Sequence, residues 1–451
     1  MSQLPRYESY KDSGVQWLGE IPNHWVRTNV KYYYDVQLGK MLQPEAKSVD
    51  DINIKYLKAQ HVQWEKIDSE NMPEMWCSSK ELSKYMVSNG DLLICEGGEV
   101  GRCGILTNLE EPAIIQNALH RVRNTARADV RYLNYFIQHT AQSDWFSILC
   151  NKATIAHFTS EKLLALPTLI PPLGEQKIIA DFLDKRLTQV DALIAKQETL
   201  LEKLAEQRVA LISHVVTKGL NPDVEMKESG MSTLGEIPLH WEIIKNKFIF
   251  DFSKGLTITK ENLVDEGIPC VSYGEVHSKF GFEVDPNKHQ LKCVPETYIE
   301  SDENSLLKYG DFIFADTSED VKGSGNFTYL NSDIPTFAGY HTIIAKMSKL
   351  NNPRFLAYIL DTEEHRNQIR MLIKGVKVFS ITQAILKNTF VWLPPIDEQN
   401  QIVDYLDQEV EKYQQIGQRY ELTIKRLKEY RSTLITQVVT GKIDVRNLKV
   451  N

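Results

Sequence analysis

The sequence predicts an α+β fold made by tandem duplication: a globular α+β domain followed by a long helix occurs twice, and the two long helices pair as an antiparallel coiled coil. Three observations carry this expectation. Short phrases recur in one order along the chain, 216 to 223 positions apart. The first part of each copy breaks short apolar runs with Gly, Pro, Asn and Asp, the punctuation of strands and turns. The last part of each copy places its apolar residues at spacings of four and three, the mark of a helix with a packing seam.

The phrase LGEIPNHW (residues 18–25) returns as LGEIPLHW (residues 234–241). NGDLLI (89–94) is echoed by YGDFIF (309–314), and RYLNYFI (131–137) by RFLAYIL (354–360). IPPLGEQKIIADFLD (170–184) is echoed by LPPIDEQNQIVDYLD (393–407), and LISHVVT (211–217) by LITQVVT (434–440). Ordered matches of this kind mean duplication, with a few loop insertions absorbing the drift in spacing. The expected order is an N-terminal arm (1–20), a first globular domain (21–170), a helix (171–220), a linker (221–236), a second globular domain (237–393), a second helix (394–440) and a tail (441–451).

A chain of 451 residues is too long for one core, and 42% apolar with 25% charged residues suits folded soluble domains. No run approaches the roughly 18 apolar residues that a bilayer span needs. The opening MSQLPRYESYKDSG is polar and lacks the apolar stretch of a secretion signal. The six cysteines form no CxxC pair, which points to free thiols in a reducing cytoplasm. A net charge of −8 argues against a uniformly basic nucleic-acid binder. A protein that binds DNA with this total must segregate its positive charge or borrow it from a partner.

Within each globular domain, GDLLIC and GDFIFA read as strands entered from a Gly-Asp turn. VRYLNYFIQHT and PRFLAYILDTEEHRNQI carry apolar residues at helical spacing. The double prolines Pro171-Pro172 and Pro394-Pro395 stand just before the long helices, where a missing N–H does no harm. The first seam is Leu183, Leu187, Val190, Ile194, Gln197, Leu201, Leu204, Arg208, Leu211 and Val215. The second is Leu406, Val410, Tyr413, Gly417, Tyr420, Ile424, Leu427, Arg431, Leu434 and Val438, with a gap at Gly417. Each rod is about 65 Å long at 1.5 Å per residue. A parallel pairing in register sets Arg208 against Arg431 in one apolar layer, which is costly. An antiparallel pairing sets Arg208 in the layer of Tyr413 and Arg431 in that of Val190, and is expected for that reason.

Catalytic signatures fail one by one. EGGEVGRCG (96–104) and KGSGNF (322–327) lack the spacing of nucleotide loops and read as turns between strands. Their equivalent places in the repeat, each with a basic residue (Arg102, Lys322), also allow a phosphate-facing role. The adenine-methyltransferase loop needs a polar residue before Pro-Pro and an aromatic after it; here the flanks are Ile170 and Leu173, then Leu393 and Ile396. Pro222-Asp223 with Glu225 and Lys227 is too crowded for a nuclease metal set. His24 and His240 lack a second ligand at metal spacing and read as parts of a structural clasp.

The densest basic run, HRVRNTARADVR, holds His120, Arg121, Arg123, Arg127 and Arg131, and HTIIAKMSKLNNPR supplies His341, Lys346, Lys349 and Arg354 as its echo. Two readings stand: a solvated charged face, or phosphate contacts with an Arg–guanine readout of roughly 1–3 kcal/mol. KYLKAQHV (55–62) aligns with PCVSYGEV (269–276) as strand then loop, with side chains that differ sharply between the copies.

The order G-x-I-P-x-x-W, G-D, P-P-x-x-E-Q-x-x-I, long helix, L-I-x-x-V-V-T, given twice, resembles the specificity (S) subunit of type I restriction–modification systems over essentially the whole chain. Pro22, Trp25, Pro171, Pro172, Glu175 and Gln176 carry the resemblance, as do Pro238, Trp241, Pro394, Pro395, Glu398 and Gln399. It implies two target-recognition domains, each reading one half of a bipartite, asymmetric site in double-stranded DNA. It also implies helices that set the spacing and bind two methyltransferase (M) subunits, with motor-nuclease (R) subunits joining the complex and no membrane partner. The chain itself would be non-catalytic and hold no cofactor or metal; S-adenosylmethionine, ATP and Mg2+ would belong to the partners. The expected DNA-binding residues are Lys58, Gln60, His61, Arg102, His120, Arg121, Arg123 and Lys152 in the first domain, and Ser272, Tyr273, Lys322, His341, Lys346, Lys374 and Lys377 in the second. The rival readings are a coiled-coil scaffold without DNA recognition and a stand-alone DNA methyltransferase.

Overall fold

In the computed structural model, which describes residues 5–143, 157–375 and 377–448, the long helices run Leu173–Lys218 and Ile396–Val439, directly after the double prolines. Pro172 and Pro395 each give their carbonyl to two N–H groups of the first helical turn, Glu175 and Gln176 in one copy and Glu398 and Gln399 in the other. Gln176 then reaches back with Nε2 to Pro171 O (2.8 Å) and accepts the Asp129 N–H (2.9 Å). Gln399 does the same with Pro394 O (3.0 Å) and the Asn352 N–H (2.9 Å). The glutamine of each P-P-x-x-E-Q thus ties the helix start to the domain before it.

The glutamate makes the clasp. Glu175 accepts from the Trp25 indole (3.0 Å) and the Tyr7 hydroxyl (2.6 Å) through Oε1, while Oε2 meets His24 Nε2 at 2.8 Å. Glu398 repeats this with Trp241 (3.2 Å) and His240 (2.7 Å). Trp25 and Trp241 are fully buried. The repeated phrase is therefore a structural clasp, and its histidines are bound into it.

The chain folds as two compact units. One holds the residues up to Glu198 together with those from Glu421 on; the other is Thr199–Tyr420. In the first unit Leu183 and Leu187 share a core with Leu434, Ile435, Val438 and Val439, around Ile21 and Trp25. Arg431 Nε lies 2.9 Å from Asp191 Oδ1, and Lys428 Nζ 3.1 Å from Glu198 Oε1. Numbers rise on one helix as they fall on the other, so the pairing is antiparallel. In the second unit Leu201 and Leu204 pack beside Gly417, and Val215 and Val216 share a core with Ile402, Val403 and Leu406, again antiparallel. Every residue of both seams is buried or half-buried. Each LIxxVVT segment closes a domain other than the one that precedes its helix: Val216 packs with Trp241, and Val438 with Trp25.

The first domain contains a four-stranded sheet in the order Asp35–Leu38, Leu119–Arg123, Leu92–Cys95, Cys103–Ile105, and a three-stranded sheet in the order Glu74–Ser78, Asp51–Leu57, Ala113–Ile115. The second repeats the plan. Phe250–Lys254, Thr342–Met347, Phe312–Ala315 and Phe327–Leu330 form the first four strands of one sheet. Ile268–Val271 pairs in parallel with Thr336–Ala338, as Asp51–Leu57 does with Ala113–Ile115. The Gly-Asp turns precede Leu92–Cys95 and Phe312–Ala315; Gly90 and Gly310 take φ of +95° and +87°, and the Asp91 and Asp311 carboxylates accept N–H groups three residues back. The helix expected over VRYLNYFIQHT is Val130–Gln142. Its longer counterpart divides into Pro353–Asp361 and Glu363–Arg370, because Thr362 caps the second piece with its side chain.

Candidate nucleic-acid interface

In each domain one group of loops is tied backbone to backbone in the same pattern. Gly39 N–H donates to Leu119 O (3.0 Å), Lys40 to Ile115 (2.8 Å), Gln116 to Leu57 (2.9 Å), Glu96 to Ala118 (2.9 Å) and Phe158 to Glu96 (2.7 Å). In the second domain Gly255 donates to Thr342 (3.1 Å), Leu256 to Ala338 (2.8 Å), Gly339 to Val271 (2.7 Å), Asp316 to His341 (3.1 Å) and Ile381 to Asp316 (2.8 Å). A Cβ on Gly39 would lie 2.2 Å from Gln116 O, and one on Gly255 2.2 Å from Gly339 O. The close approach of these loops requires glycine at both places.

On this common frame the side chains differ. Lys40 stands where the second domain has Leu256, Lys58 where it has Ser272, Ala59 where it has Tyr273, and Asn117-Ala118 where it has Tyr340-His341. The short helices that follow the central strands keep one feature: Lys58 N–H donates to His61 Nδ1 and Ser272 N–H to Glu275 Oε2, both at 3.1 Å.

The second domain gathers an aromatic group. Tyr273 meets Tyr340, His341 and His277 edge-on, with ring centroids 5.7, 5.4 and 6.3 Å apart. His341 is exposed, holds φ of +55°, and sets Nδ1 3.3 Å from Asp316 Oδ1. A non-glycine residue in the left-handed region is uncommon and marks a constrained position. Lys374 and Lys377 are exposed, and the strand Phe379–Ser380 beyond them pairs with Thr317–Ser318, next to Asp316. Lys322 is exposed on the following turn. Ser272 is buried as the N-cap of Tyr273–Ser278. Edge-presenting aromatics, an imidazole and flanking lysines can stack on bases, donate to base edges and pair with phosphates.

In the first domain Arg102 donates to Ala59 O (2.9 Å) and pairs with Glu99 (3.1 Å), so it braces the loop bearing Lys58 and Gln60. His61 is buried, which lowers its pKa. Met41, 75% exposed, and Leu42 project from the Gly39 loop, and the exposed Trp64 donates to Glu99 (2.6 Å). Sequence reasoning missed these three residues and the Asn117/Tyr340 position. The signal available was Gly39 aligned with Gly255 at the 216-residue spacing of the opening phrase.

The basic run is corrected. His120 is fully buried against Phe158 O (2.8 Å), and burial holds its imidazole below the usual range. Arg121 is buried with Nη1 on Lys84 O and Met86 O. Arg123 forks onto Asp91, Nε to Oδ1 at 2.8 Å and Nη2 to Oδ2 at 3.0 Å. Lys346 gives Nζ to Leu306 O (2.8 Å). These four serve the sheets and their turns: alternation sends them to the two faces of the sheet, where covering segments supply carbonyls, or in the case of Arg123 the Asp91 carboxylate, as partners. The echo was also misaligned by two: strand register sets Val122 opposite Leu92 and Ala345 opposite Phe312, so His120 corresponds to Ile343 and Arg123 to Lys346. Arg131 and Arg354 likewise tie helices together, to Asp184 (3.0 Å) and Asp407 (2.7 Å). Lys152 lies outside the described residues. Among the described residues no group of His, Cys, Asp and Glu could hold a metal ion, and no helix is long and apolar enough to cross a membrane.

The fold and frame define a class: a duplicated α+β module, joined to long helices, that shows different side chains from one backbone pattern. The family model described as type I restriction modification DNA specificity domain matches residues 78–204 and 238–424, more than half of the chain. The chain belongs to that family. It is 27% identical over 283 residues to the type I restriction enzyme MjaVIII specificity subunit of Methanocaldococcus jannaschii, covering 62% of each protein. It is 25% identical to the putative MjaX specificity subunit of the same organism, over 98% of this chain and 99% of the other. Two solved structures share the fold. One, reported for complex assembly and conformational transition of the type I R-M system, has a TM-score of 0.71 at 13% identity, covering 93% of this chain and 98% of that one. The other, the HsdS subunit from Thermoanaerobacter tengcongensis, has a TM-score of 0.56 at 14% identity, covering 94% and 98%.

Proposed function

We propose that the chain is the non-catalytic DNA-specificity subunit of a type I restriction–modification complex, in which each domain reads one half of a bipartite, asymmetric site. The observation that carries this reading is the pair of matching five-bond loop frames bearing different side chains: one scaffold, two recognition surfaces. Bases are read in the major groove by the loops around Lys58 and Gln60 in the first domain and around Tyr273, Tyr340 and His341 in the second. Lys322, Lys374 and Lys377 contact phosphates. The long helices set the half-site spacing and dock two M subunits, a role supported by the exposed apolar side chains of Ile178, Leu193, Val209, Ile416 and Leu422 along them. R subunits join through the complex. S-adenosylmethionine, ATP and Mg2+ reside in those partners, and the assembly works in the cytoplasm.

The test replaces residues 21–169 with the corresponding domain of another family member and maps adenine methylation in cells that supply the M subunit. One half of the methylated motif changes and the other stays. A recombinant that alters both halves, or neither, contradicts the reading.

A further inference from the structure

The first unit contains an ionic knot with no counterpart among the described residues of the second. Arg431 bonds Asp191 Oδ1 through Nε (2.9 Å) and Glu65 through Nη2. Its equivalent, 223 positions earlier, is Arg208. The residue 223 beyond Asp191 is Gln414, an amide. Glu65 is the eighth residue after Leu57; the eighth after Val271, which holds the same strand register, is Lys279. The Asp191 carboxylate is replaced by an amide, and the loop after Val271, longer than the one after Leu57 and with no residue matched to Glu65, brings the Lys279 ammonium instead.

Arg208, the exposed Lys279 and Gln414 line one cavity of about 300 Å³, walled by Phe280, His289 and Tyr358; its two carboxylates, Asp361 and Glu283, are held by Arg366 and Arg354. His289 stacks on Phe280 at 4.6 Å, and its Nδ1 accepts the Asp285 N–H. The third cation at the cavity, Arg354, is already neutralised by Asp407 and Glu283. Among the described residues Arg208 has no ion-pair partner, and its Nε is buried without a hydrogen bond. A buried guanidinium N–H left unbonded is costly, and with Lys279 at the mouth and both lining carboxylates already paired, the site favours an anion.

We propose that this cavity binds a small oxyanion of the carboxylate or phosphate class, seated where the Glu65 and Asp191 carboxylates sit in the first unit. Arg208 offers paired N–H donors to two oxygens, Lys279 adds a second charge, and Gln414 donates its amide N–H. Arg208, Ile212, Val410 and Gln414 of the lining stand on the long helices and none of the lining residues belongs to the loop frame, so the site takes a free anion and not the DNA backbone.

The experiment is thermal unfolding of the full chain at constant ionic strength in chloride, inorganic phosphate or malonate. Phosphate or malonate raises Tm by about 2–4 °C over chloride, and the arm that responds identifies the class. Arg208→Gln loses the response. The double variant Lys279→Glu with Gln414→Asp, which rebuilds the first unit's knot, has a higher Tm in chloride and no response to either anion. Equal Tm in all three salts overturns the proposal, as does a double variant that still responds or that is less stable than wild type. If Arg208→Gln does not fold, the double variant decides alone.

Discussion

Arg431 Nε sits 2.9 Å from Asp191 Oδ1, one residue on each long helix, and the next ion pair along, Lys428 with Glu198, fixes the direction in which the helices pass. Arg431 is mostly buried, so removing its charge-assisted bonds leaves Glu65 and Asp191 without a partner. Arg431→Met is expected to cost roughly 1.5–3 kcal/mol in denaturant unfolding. Asp191→Asn costs less, because Asp191 is half exposed and the Glu65 bond survives. A double-mutant cycle that finds no coupling between positions 191 and 431 contradicts the pairing.

Gly417 is a helix-interior glycine with room beside it. A Cβ there would meet Leu201 at 3.7 Å and Leu204 at 3.9 Å, ordinary contact distances. Gly417→Ala therefore combines helix propensity with a filled gap and stabilises by about 0.5–1 kcal/mol. Destabilisation in the same unfolding assay would mean the seam is closer there than described.

The loop frames make the opposite prediction for Gly39 and Gly255. Alanine at either position drives a methyl group into a backbone carbonyl, and overpacking of this kind costs about 1–3 kcal/mol. Gly39→Ala is expected to weaken recognition by the first domain alone and Gly255→Ala by the second, read as degeneracy in one half of the methylated motif. Equal loss in both halves from one substitution would count against separate frames.

Two buried histidines set an acid limit. Burial holds His139 at about 4 and His365 at about 3, whereas both take up protons near pH 6.5 in an unfolded chain. Below about pH 6.5 the unfolded state carries protons that the folded state refuses, so stability is full above that pH and falls as pH drops toward the folded values. By pH 4.5 each histidine accounts for a loss of up to about 2–3 kcal/mol. His365→Leu is expected to flatten the stability–pH slope between pH 6.5 and 4.5 by up to one proton; an unchanged slope refutes the assignment.

The seams and the clasp were legible because they are written in spacing. Leu183 to Val215 repeat at helical intervals, and the Trp25 and Glu175 that meet in space stand in phrases repeated at Trp241 and Glu398. The loop frame was not legible, since its bonds run between backbone groups and its side chains diverge; Gly39 and Gly255 were its only marks. Charge density misled. Counting arginines in HRVRNTARADVR does not reveal that Asp91 waits in the turn before the adjacent strand for Arg123, or that His120 points inward. The Arg431 knot required Glu65, a residue without any repeat signal.

The central claim is that each domain reads its own half-site through the loops on its frame. The most direct measurement is genome-wide mapping of methylated adenines in cells carrying the M subunit and the chain with Tyr273→Ala, Tyr340→Ala and His341→Ala. The account predicts a motif that becomes degenerate in one half and keeps the other half and the spacing unchanged. An intact motif, or one lost in both halves while the protein remains folded, would contradict it.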